Sequence, residues 1–440
     1  MQIDKTTIQD LSIFHHEQEQ AICSMLDFTH TNDGRNYLQF VLSHPLDSIA
    51  AIHDTQQTIR ALSAVADHWP PTITNGTIMM MEKFFDTAIN SYPHQPTVLS
   101  ALFYKIFNSH DFSLTRYSIQ HFADFFTGLQ QILACIDEDT YSKKLSAWLQ
   151  RIRQLLDKGM IHEIAQCKAE KLSAREVIIY GRFLRHHFKI ATQELIELFA
   201  KIDAYLSLAI ACKKFNLLFP EFEAADEPFV TAENLFHILL EKPVPYSVDL
   251  SHHKNFLFLT GANMAGKSTF IKALGVAVYL AHLGIGVPAK SFKLSFFDGI
   301  LSNIHVMDNI VKGESYFFNE VQRIKNTIEK ISDGKKWLIL IDELFKGTNM
   351  EDAMKCSKTV IEGLNKSRNA LFVLSTHLYE IGGSLQQHDN MIFRYFETSV
   401  VKDQLMFSYQ LKDGVSSDRL GYLILRREGV IDMLNEIGTK

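Results

Sequence analysis

Hydrophobic and polar positions in the first half of the chain repeat with the period of an α-helix. In two stretches, apolar residues recur every three or four positions and leave a polar face opposite them. The apolar positions are Leu145, Trp148, Leu149, Ile152, Leu155 and Leu156 in one stretch, and Leu195, Leu198, Phe199, Ile202, Tyr205, Leu206 and Ala209 in the other. The pattern predicts amphipathic helices that pack against one another.

The second half shows a different pattern, in which short continuous apolar runs stand between polar loops. Residues 255–260, 338–341 and 370–374 form such runs, which are typical of buried parallel strands. Glycine follows the same division, since five of the 21 glycines lie in residues 1–225 and 16 in residues 226–440. Because glycine and proline interrupt helices, the counts predict long helices followed by a turn-rich α/β region.

The predicted boundary lies in residues 219–247, where four prolines and an acidic run interrupt the helical pattern. We therefore predict two domains, an all-α domain at residues 1–225 and an α/β domain at residues 226–440.

Composition narrows the class of protein only slightly. Lys and Arg number 44 against 50 Asp and Glu, which excludes a uniformly basic nucleic-acid coat but not a local basic patch. The five cysteines are scattered and predict reduced thiols. Because the chain has neither an apolar signal core nor a bilayer-length apolar run, we predict a cytoplasmic protein without a membrane partner.

One short basic segment interrupts the helical half. It contains Arg182, Arg185, His186, His187 and Lys189. Such a cluster contacts phosphates in some proteins, but a short isolated one is more typical of a solvated helix face, which is the interpretation we favour.

The first apolar run of the second half leads into a glycine-bounded loop with the pattern GxxxxGK[ST]. The loop and its flank comprise Gly261, Ala262, Asn263, Met264, Ala265, Gly266, Lys267, Ser268 and Thr269. Backbone N–H groups of such a loop surround phosphate oxygens, and the following helix N-terminus adds positive potential. The sequence therefore predicts an ATP site in which Lys267 contacts the β- and γ-phosphates and Ser268 binds Mg²⁺.

Polar residues also follow the other two apolar runs. Asp342 and Glu343 end the second run, at the strand end where open α/β sheets bind ligands. We predict that Asp342 binds Mg²⁺ directly or through water, and that Glu343 orients or deprotonates the attacking water. His377 follows the third run and is predicted to sense the γ-phosphate or to position water.

Five blocks of the second half occur in the same order as motifs of the MutS family of DNA mismatch repair ATPases. They are GANMAGKST, DNIVKGESYFFNEV, LIDELFKGTNMEDA, LSTHLYEI and YQLKDGVSSDRLGYLIL. Residues 26–62 and 202–216 resemble the two ends of the family's core and lever domain. The resemblance implies an all-α core and lever domain followed by a P-loop ATPase domain of the ABC type.

The resemblance also implies an assembly. Ser315 would contact the γ-phosphate held by a partner subunit, so a homodimer with composite ATP sites is expected. Asn263 would help to position the γ-phosphate, residues 346–349 would lie at the dimer interface, and residues 417–427 would support it.

The chain departs from the family pattern at several positions. Ala262 replaces a proline, Ala265 a glycine and Phe345 a small residue, whereas the residues expected to perform the chemistry are retained. We therefore predict a Mg²⁺-dependent ATPase. The matching core starts near residue 26, so the family's mismatch-reading and connector domains are not expected, and residues 63–201 are too few for a full inserted clamp. Whether mismatched DNA is recognised stays open.

Three functions fit these patterns. The first is an ATP-dependent DNA-binding protein whose helical levers open and close on mismatched, branched or damaged DNA during repair or recombination. The second is an ATPase of the same fold that acts on RNA, ribosomes or another partner. The third, a structural protein that binds nucleotide without turnover, is disfavoured because Lys267, Ser268, Asp342 and Glu343 are all present.

Overall fold

The computed structural model describes residues 1–15, 17, 21–94, 96–136, 142–304, 316–401, 404–416, 429–430 and 433–434. The chain forms two compact units. The α/β unit comprises Met1–Met25, Pro45–Ile52 and Phe215–Lys440, and the helical unit comprises Leu26–His44 and His53–Lys214. The division is therefore not a single cut near residue 225, because two N-terminal segments belong with the C-terminal half.

The α-helices of the described residues follow the predicted distribution and are longest in the helical unit. They are α1 (Lys5–Asp10), α2 (Ile22–Leu26), α3 (Asn32–Ser43), α4 (Ile49–Val65), α5 (Asn75–Asp86), α6 (Val98–Phe107), α7 (Ser109–Cys135), α8 (Lys143–Leu156), α9 (Gly159–Gln166), α10 (Ala174–Arg182), α11 (Lys189–Lys214), α12 (Lys267–His282), α13 (Tyr316–Ile331), α14 (Met350–Leu364) and α15 (Gly382–Leu385). No helix in the described part of the chain is long and apolar enough to cross a bilayer.

The two helices with the clearest sequence pattern bury different amounts of their surface. In α8, the predicted stripe is buried except for Trp148, which is partly exposed. In α11, the predicted stripe is buried, and Ile196, Ala200, Ala204 and Leu208 are buried as well. The prediction of a single apolar stripe is thus wrong for α11, because this helix packs against both α3 and α8.

A buried carboxylate on α11 fixes the start of α3. Asp203 is fully buried and accepts hydrogen bonds from the backbone N–H groups of His30 and Thr31, each at 2.9 Å, and from the Thr31 hydroxyl at 2.7 Å. A Cβ atom at Gly34, in the first turn of α3, would lie 2.1 Å from Asp203 Oδ2. Gly34 lies in the family-like segment 26–62, and Asp203 lies in the family-like segment 202–216. A larger residue at position 34 would clash with Asp203, so the aspartate requires the glycine.

Two arginines of the basic segment donate hydrogen bonds to backbone carbonyl oxygens of the same unit. The Arg182 guanidinium donates to the carbonyl oxygen of His94, and that of Arg185 donates to the carbonyl oxygens of Phe84 and Thr87, where α5 ends. The last carbonyls of a helix lack intrahelical partners, so Arg185 supplies donors that α5 needs. The expected solvated face is wrong for Arg185, whose guanidinium is half-buried, whereas the Arg182 hydrogen bond and the side chains of His186 and His187 are exposed.

Among the described residues, the strands lie in the α/β unit and form two sheets. They are β1 (Gln2–Ile3), β2 (Glu221–Glu223), β3 (Val230–Leu235), β4 (Tyr246–Leu250), β5 (Phe256–Thr260), β6 (Ser291–Ser295), β7 (Gly299–Asn303), β8 (Trp337–Asp342), β9 (Ala370–Ser375), β10 (Met391–Val401) and β11 (Gln404–Asp413). The larger sheet has the order β1-β7-β8-β9-β5-β10-β11 and is parallel except for the β10–β11 pair. The smaller sheet has the order β2-β6-β3-β4.

Three strands and the start of a fourth lie in regions where the sequence predicted none. β1, at the start of the chain, pairs with β7 at an edge of the larger sheet, and the expected linker at residues 219–247 contributes β2, β3 and the start of β4 to the smaller sheet. The first 225 residues are therefore not wholly helical. The difference arises because short strands gain stability from partners far away in sequence, which local patterns do not reveal.

The three predicted strands are neighbours in the larger sheet. β9 lies between β5 and β8, and Ser375 is in register with both Leu259 of β5 and Asp342 of β8. Because the three strands are parallel, their carboxyl ends meet at one edge of the sheet. The backbone N–H of Glu343 donates to the carbonyl oxygen of Ser375 at 2.9 Å and continues the pairing past Asp342.

Candidate functional site

The loop between β5 and α12 has a backbone that needs glycine at both ends. Gly261 has φ +139° and Gly266 has φ +111°, values that side chains rarely permit. A Cβ atom at Gly261 would also lie 3.2 Å from the carbonyl oxygen of Phe396. The loop leads directly into the N-terminus of α12, a helix of 16 residues, so the unpaired N–H groups of its first turn face the same region.

Lys267, the first residue of α12, folds back under this loop. Its ammonium group donates to the carbonyl oxygens of Gly261 at 2.7 Å and Ala262 at 3.0 Å. Burial lowers the pKa of Lys267, while the nearby carboxylates of Glu343 and Asp342 act in the opposite direction. The Lys267 ammonium group is thus held inside the loop by two neutral carbonyl oxygens. An anion bound in the loop would be a stronger acceptor and would replace them.

A pocket of about 700 Å³ opens above the loop. Its lining includes most of the predicted positions, namely Ala262, Asn263, Met264, Gly266, Lys267, Ser268, Thr269, Asp342 and Glu343. Ala265 is buried beneath the loop, and Gly261 supports it through the Lys267 contact. The structure therefore gathers the loop and the acidic strand end around one space.

Two tyrosines in the pocket wall were not predicted. Tyr246 stands at the start of β4 and packs edge-on against the ring of Phe270, with 5.3 Å between ring centroids, and Tyr409 lies on β11. Tyr409 is the first residue of the last family-like block. Its place in that block could have identified it as a candidate site residue from the sequence. Tyr246 lies in the segment interpreted as a linker, so the local pattern concealed it.

Asp342 and Glu343 differ in their surroundings. Asp342 ends β8 with little exposure, and the hydroxyl group of Ser375 donates to its Oδ1 atom. The Glu343 carboxylate lies between two basic side chains, 3.0 Å from Lys346 Nζ and 3.2 Å from His377 Nδ1. The two acids therefore have different partners. Asp342 is hydrogen-bonded to a neighbouring strand, and Glu343 contacts two basic side chains.

The protonation of the Glu343–His377 pair follows from this geometry. Burial alone would raise the pKa of Glu343, but hydrogen bonds from His377 and Lys346 and their positive charges lower it to about 2. The hydrogen bond to Glu343 conversely raises the pKa of His377. Glu343 is thus ionised throughout the physiological range, in a position where a carboxylate can accept a proton.

A residue of α13 holds the turn after Glu343 in place through hydrogen bonds. The buried carboxylate of Glu320 accepts hydrogen bonds from the backbone N–H groups of Lys346, at 3.1 Å, and Gly347, at 3.3 Å. Phe345, the departure from the family pattern, is buried beside the ring of Phe317, with 5.6 Å between centroids. Asn349 caps α14 by accepting a hydrogen bond from the N–H of Asp352 at 3.0 Å. The turn is therefore positioned within its own unit.

Some predicted residues cannot be compared with the structure. Ser315, with the rest of residues 308–315, and residues 417–427 lie outside the described residues. Within the part that is described, no group of three or more His, Cys, Asp and Glu side chains is arranged to hold a metal ion.

The larger sheet and its site define a class of protein. An open, mainly parallel sheet with a glycine-bounded loop before a helix and acids at a neighbouring strand end binds ligands at its carboxyl edge. Within this class, residues 257–434 match the model of the family described as MutS domain V. The resemblance to MutS proteins is thereby confirmed for the C-terminal part of the chain.

Individual relatives agree with the family match. The chain is 28% identical over 288 residues to "DNA mismatch repair protein MutS" of Streptococcus agalactiae, an alignment that covers 62% of this chain and 33% of the relative. The protein of the same name from Petrotoga mobilis is 28% identical over 266 residues, covering 59% of this chain and 32% of the relative. The chain thus spans about a third of the length of the curated relatives it matches.

Proposed function

We propose that the chain binds ATP with Mg²⁺ in the pocket above the β5–α12 loop and hydrolyses it there. The observation that carries the proposal is the convergence of the loop, Lys267, Asp342 and Glu343 around one space of about 700 Å³, a size typical of ligand pockets. A phosphate fits this place because N–H groups, a helix N-terminus and an ammonium group face it. Tyr246 and Tyr409 supply an aromatic wall on which a base can stack.

The metal site fits Mg²⁺ in particular. Ser268 and Asp342, which line the same pocket, would supply one oxygen each. Mg²⁺ keeps several waters and shares phosphate oxygens with its nucleotide, so it needs few protein ligands. Bound there, the ion would neutralise charge on the phosphates.

The Glu343 carboxylate is the proposed base. It is ionised, because its pKa is about 2, and it would orient the attacking water and accept its proton. His377 is a positioning residue, since its ring holds one carboxylate oxygen at 3.2 Å. Lys346 holds the other oxygen at 3.0 Å, so this contact must lengthen before that oxygen can face water.

Replacing Glu343 with glutamine is expected to leave ATP binding within a few-fold of the wild type and to lower kcat about 100- to 10,000-fold. The amide keeps the size of the side chain but cannot accept the proton. The ATP-bound state should then persist and trap an ATP-dependent dimer contact, which is measured as the increase in sedimentation when ATP is added. Glu351→Gln, an exposed change in the first turn of α14, is the matched control. Normal hydrolysis by Glu343→Gln would remove Glu343 from the role of base.

We further propose that two copies form composite ATP sites through Ser315, and that nucleotide state opens and closes the helical units on DNA. The resemblance at the motif blocks and the names of the matched relatives, which are DNA mismatch repair proteins, support this proposal. A role in repair or recombination would follow from binding to mismatched, branched or damaged DNA.

One observation favours that part of the alternative in which the partner is neither DNA nor RNA. A groove of about 950 Å³ in the helical unit is lined by four carboxylates and one lysine, and phosphates are repelled from such a surface. The charged residues are Asp33, Glu82, Asp86, Glu197 and Lys201. The neighbouring carboxylates add to burial in raising the pKa of Glu82. Any nucleic acid must therefore be bound by another face of the unit.

The deciding experiment is a competition among mismatched duplex, matched duplex, four-way junction and RNA, each with and without ATP. We expect a DNA form to bind most tightly and its affinity to change when ATP is added. Salt dependence should accompany binding, because phosphate contacts release counterions. Preference for RNA over every DNA form would replace the DNA proposal by the alternative, while leaving the ATP site intact.

A further inference from the structure

Helix α6 in the helical unit exposes more apolar surface than it buries. Its inward side is small, consisting mainly of the buried residues Ala101 and Tyr104. Its outward side carries six large apolar side chains that are between 44% and 77% exposed. These are Val98, Leu99, Leu102, Phe103, Ile106 and Phe107. Single exposed apolar residues are common on protein surfaces, but a continuous apolar helix face marks an interaction site.

The helix is firmly attached despite its small inward side. Thr97 and Ser100 form a capping box at its start, with the Ser100 N–H donating to Thr97 Oγ1 at 3.2 Å. The Tyr104 hydroxyl donates to the carbonyl oxygen of Asn90 at 3.0 Å, and Arg175 donates to that of Pro96 at 3.0 Å. The apolar face is therefore a fixed surface that is available for docking.

The six side chains form two parallel ridges. One ridge contains Val98, Leu102 and Ile106, and the other contains Leu99, Phe103 and Phe107. Residues in each ridge are four positions apart, and the rings of Phe103 and Phe107 are nearly parallel, with 6.2 Å between centroids. Ridges of this spacing pack into the grooves of an identical helix at a crossing angle of about −50°. The surface is thus complementary to itself.

The charge of the face also favours an apolar partner. None of its six residues is ionisable, and the one lysine of the helix, Lys105, has its ammonium group 5.6 Å from the centre of the Phe112 ring on α7. A nucleic acid or an anionic membrane would require cations around the patch. Arg175, the basic residue that contacts the start of the helix, donates to a backbone carbonyl instead.

The size of the face agrees with a dimer. With on the order of 100 Å² of exposed apolar surface per side chain, six such residues offer about 600 Å² per copy, and two copies would bury about 1,200 Å² if the whole face is covered. Stable interfaces bury about 1,200–2,000 Å² in total. We propose that a second copy of this chain covers the face, with the two α6 helices related by a two-fold axis. This interface would need no nucleotide and is independent of the proposed ATP site.

Sedimentation of the full chain without nucleotide tests the inference. We expect a dimer at micromolar concentration and expect Phe103→Asp to weaken it at least about 100-fold, because a carboxylate would be buried without a partner. Ile190→Asp, an exposed change at the start of α11, is the matched control and should leave the dimer unchanged. Circular dichroism checks that both variants fold. The Lys267→Ala variant should dimerise like the wild type, which separates this interface from the ATP site.

A charge-swap pair identifies the partner as a second copy. Phe103→Lys and Phe103→Glu should each be monomeric alone and should form a one-to-one dimer when mixed, because a residue near a two-fold axis faces its own counterpart. A monomeric wild type, or a nucleotide-free dimer that Phe103→Asp does not weaken, would overturn the proposal. Binding of a monomeric wild type to phosphatidylcholine vesicles or single-stranded DNA, lost in Phe103→Asp, would assign the face to that occupant instead.

Discussion

Replacing Lys267 with alanine is expected to lower the affinity for ATP at least about 100-fold and to abolish turnover. The ammonium group is the cation closest to the loop, and charge-assisted bonds to phosphates are among the strongest polar contacts in such sites. Alanine would also remove the Lys267 donor from the carbonyl oxygens of Gly261 and Ala262, of which Ala262 keeps the N–H of Ala265. Titration calorimetry with ATP and a steady-state ATPase assay measure the two effects.

The matched control is Lys290→Ala, which removes an exposed lysine from the same unit. This variant should bind and hydrolyse ATP like the wild type. If Lys267→Ala retained wild-type affinity and turnover, the assignment of the pocket would have to be abandoned, together with the roles proposed for Ser268 and Glu343.

Replacing Asp203 with alanine is expected to lower the free energy of unfolding of the helical unit by about 3 kcal/mol or more. The change removes the acceptor of the His30 and Thr31 N–H groups, and each buried donor left unpaired costs about 1–3 kcal/mol. Urea unfolding, followed by hydrogen exchange at the start of α3, measures the loss. Asp157→Ala, an exposed change at the end of α8, should be nearly neutral.

The effect of Asp203 should depend on pH. The hydrogen bond from His30 to Asp203 raises the pKa of His30 above its usual value. Stability from this pair is fully present below the unfolded-state pKa of about 6.5 and is lost as pH rises through the folded-state pKa. The difference between wild type and Asp203→Ala should therefore shrink as pH rises, and a constant difference would mean that the pair contributes nothing.

The local pattern of apolar residues was sufficient to predict the strands that carry the site. Each of β5, β8 and β9 is a continuous apolar run followed by a polar residue, and such runs mark strands that are buried on both faces. Their place in the sheet could also be inferred, because the loop and the acids had to meet at one edge. The fixed spacing of the motif likewise indicated which residues line the pocket.

Long-range contacts were beyond the reach of the sequence pattern. The pairing of β1 with β7 joins residues almost 300 positions apart, and Asp203 contacts Thr31 across 172 positions. Tyr246 enters the pocket from a segment whose prolines resemble those of a linker. Glu343, which pairs with Lys346, has a left-handed backbone at φ +66°, and no residue preference would indicate this conformation.

The apolar face of α6 also bears on how far an assembly can grow. A chain with two different self-complementary surfaces, one in each unit, can close into a discrete pair only if both surfaces share one two-fold axis. If the axes differ, each copy joins a different neighbour through each surface, and the copies form a closed ring where the axes intersect at a closing angle and an open filament where they do not. ATP would then set the length of that filament, since only one of the two contacts would depend on nucleotide.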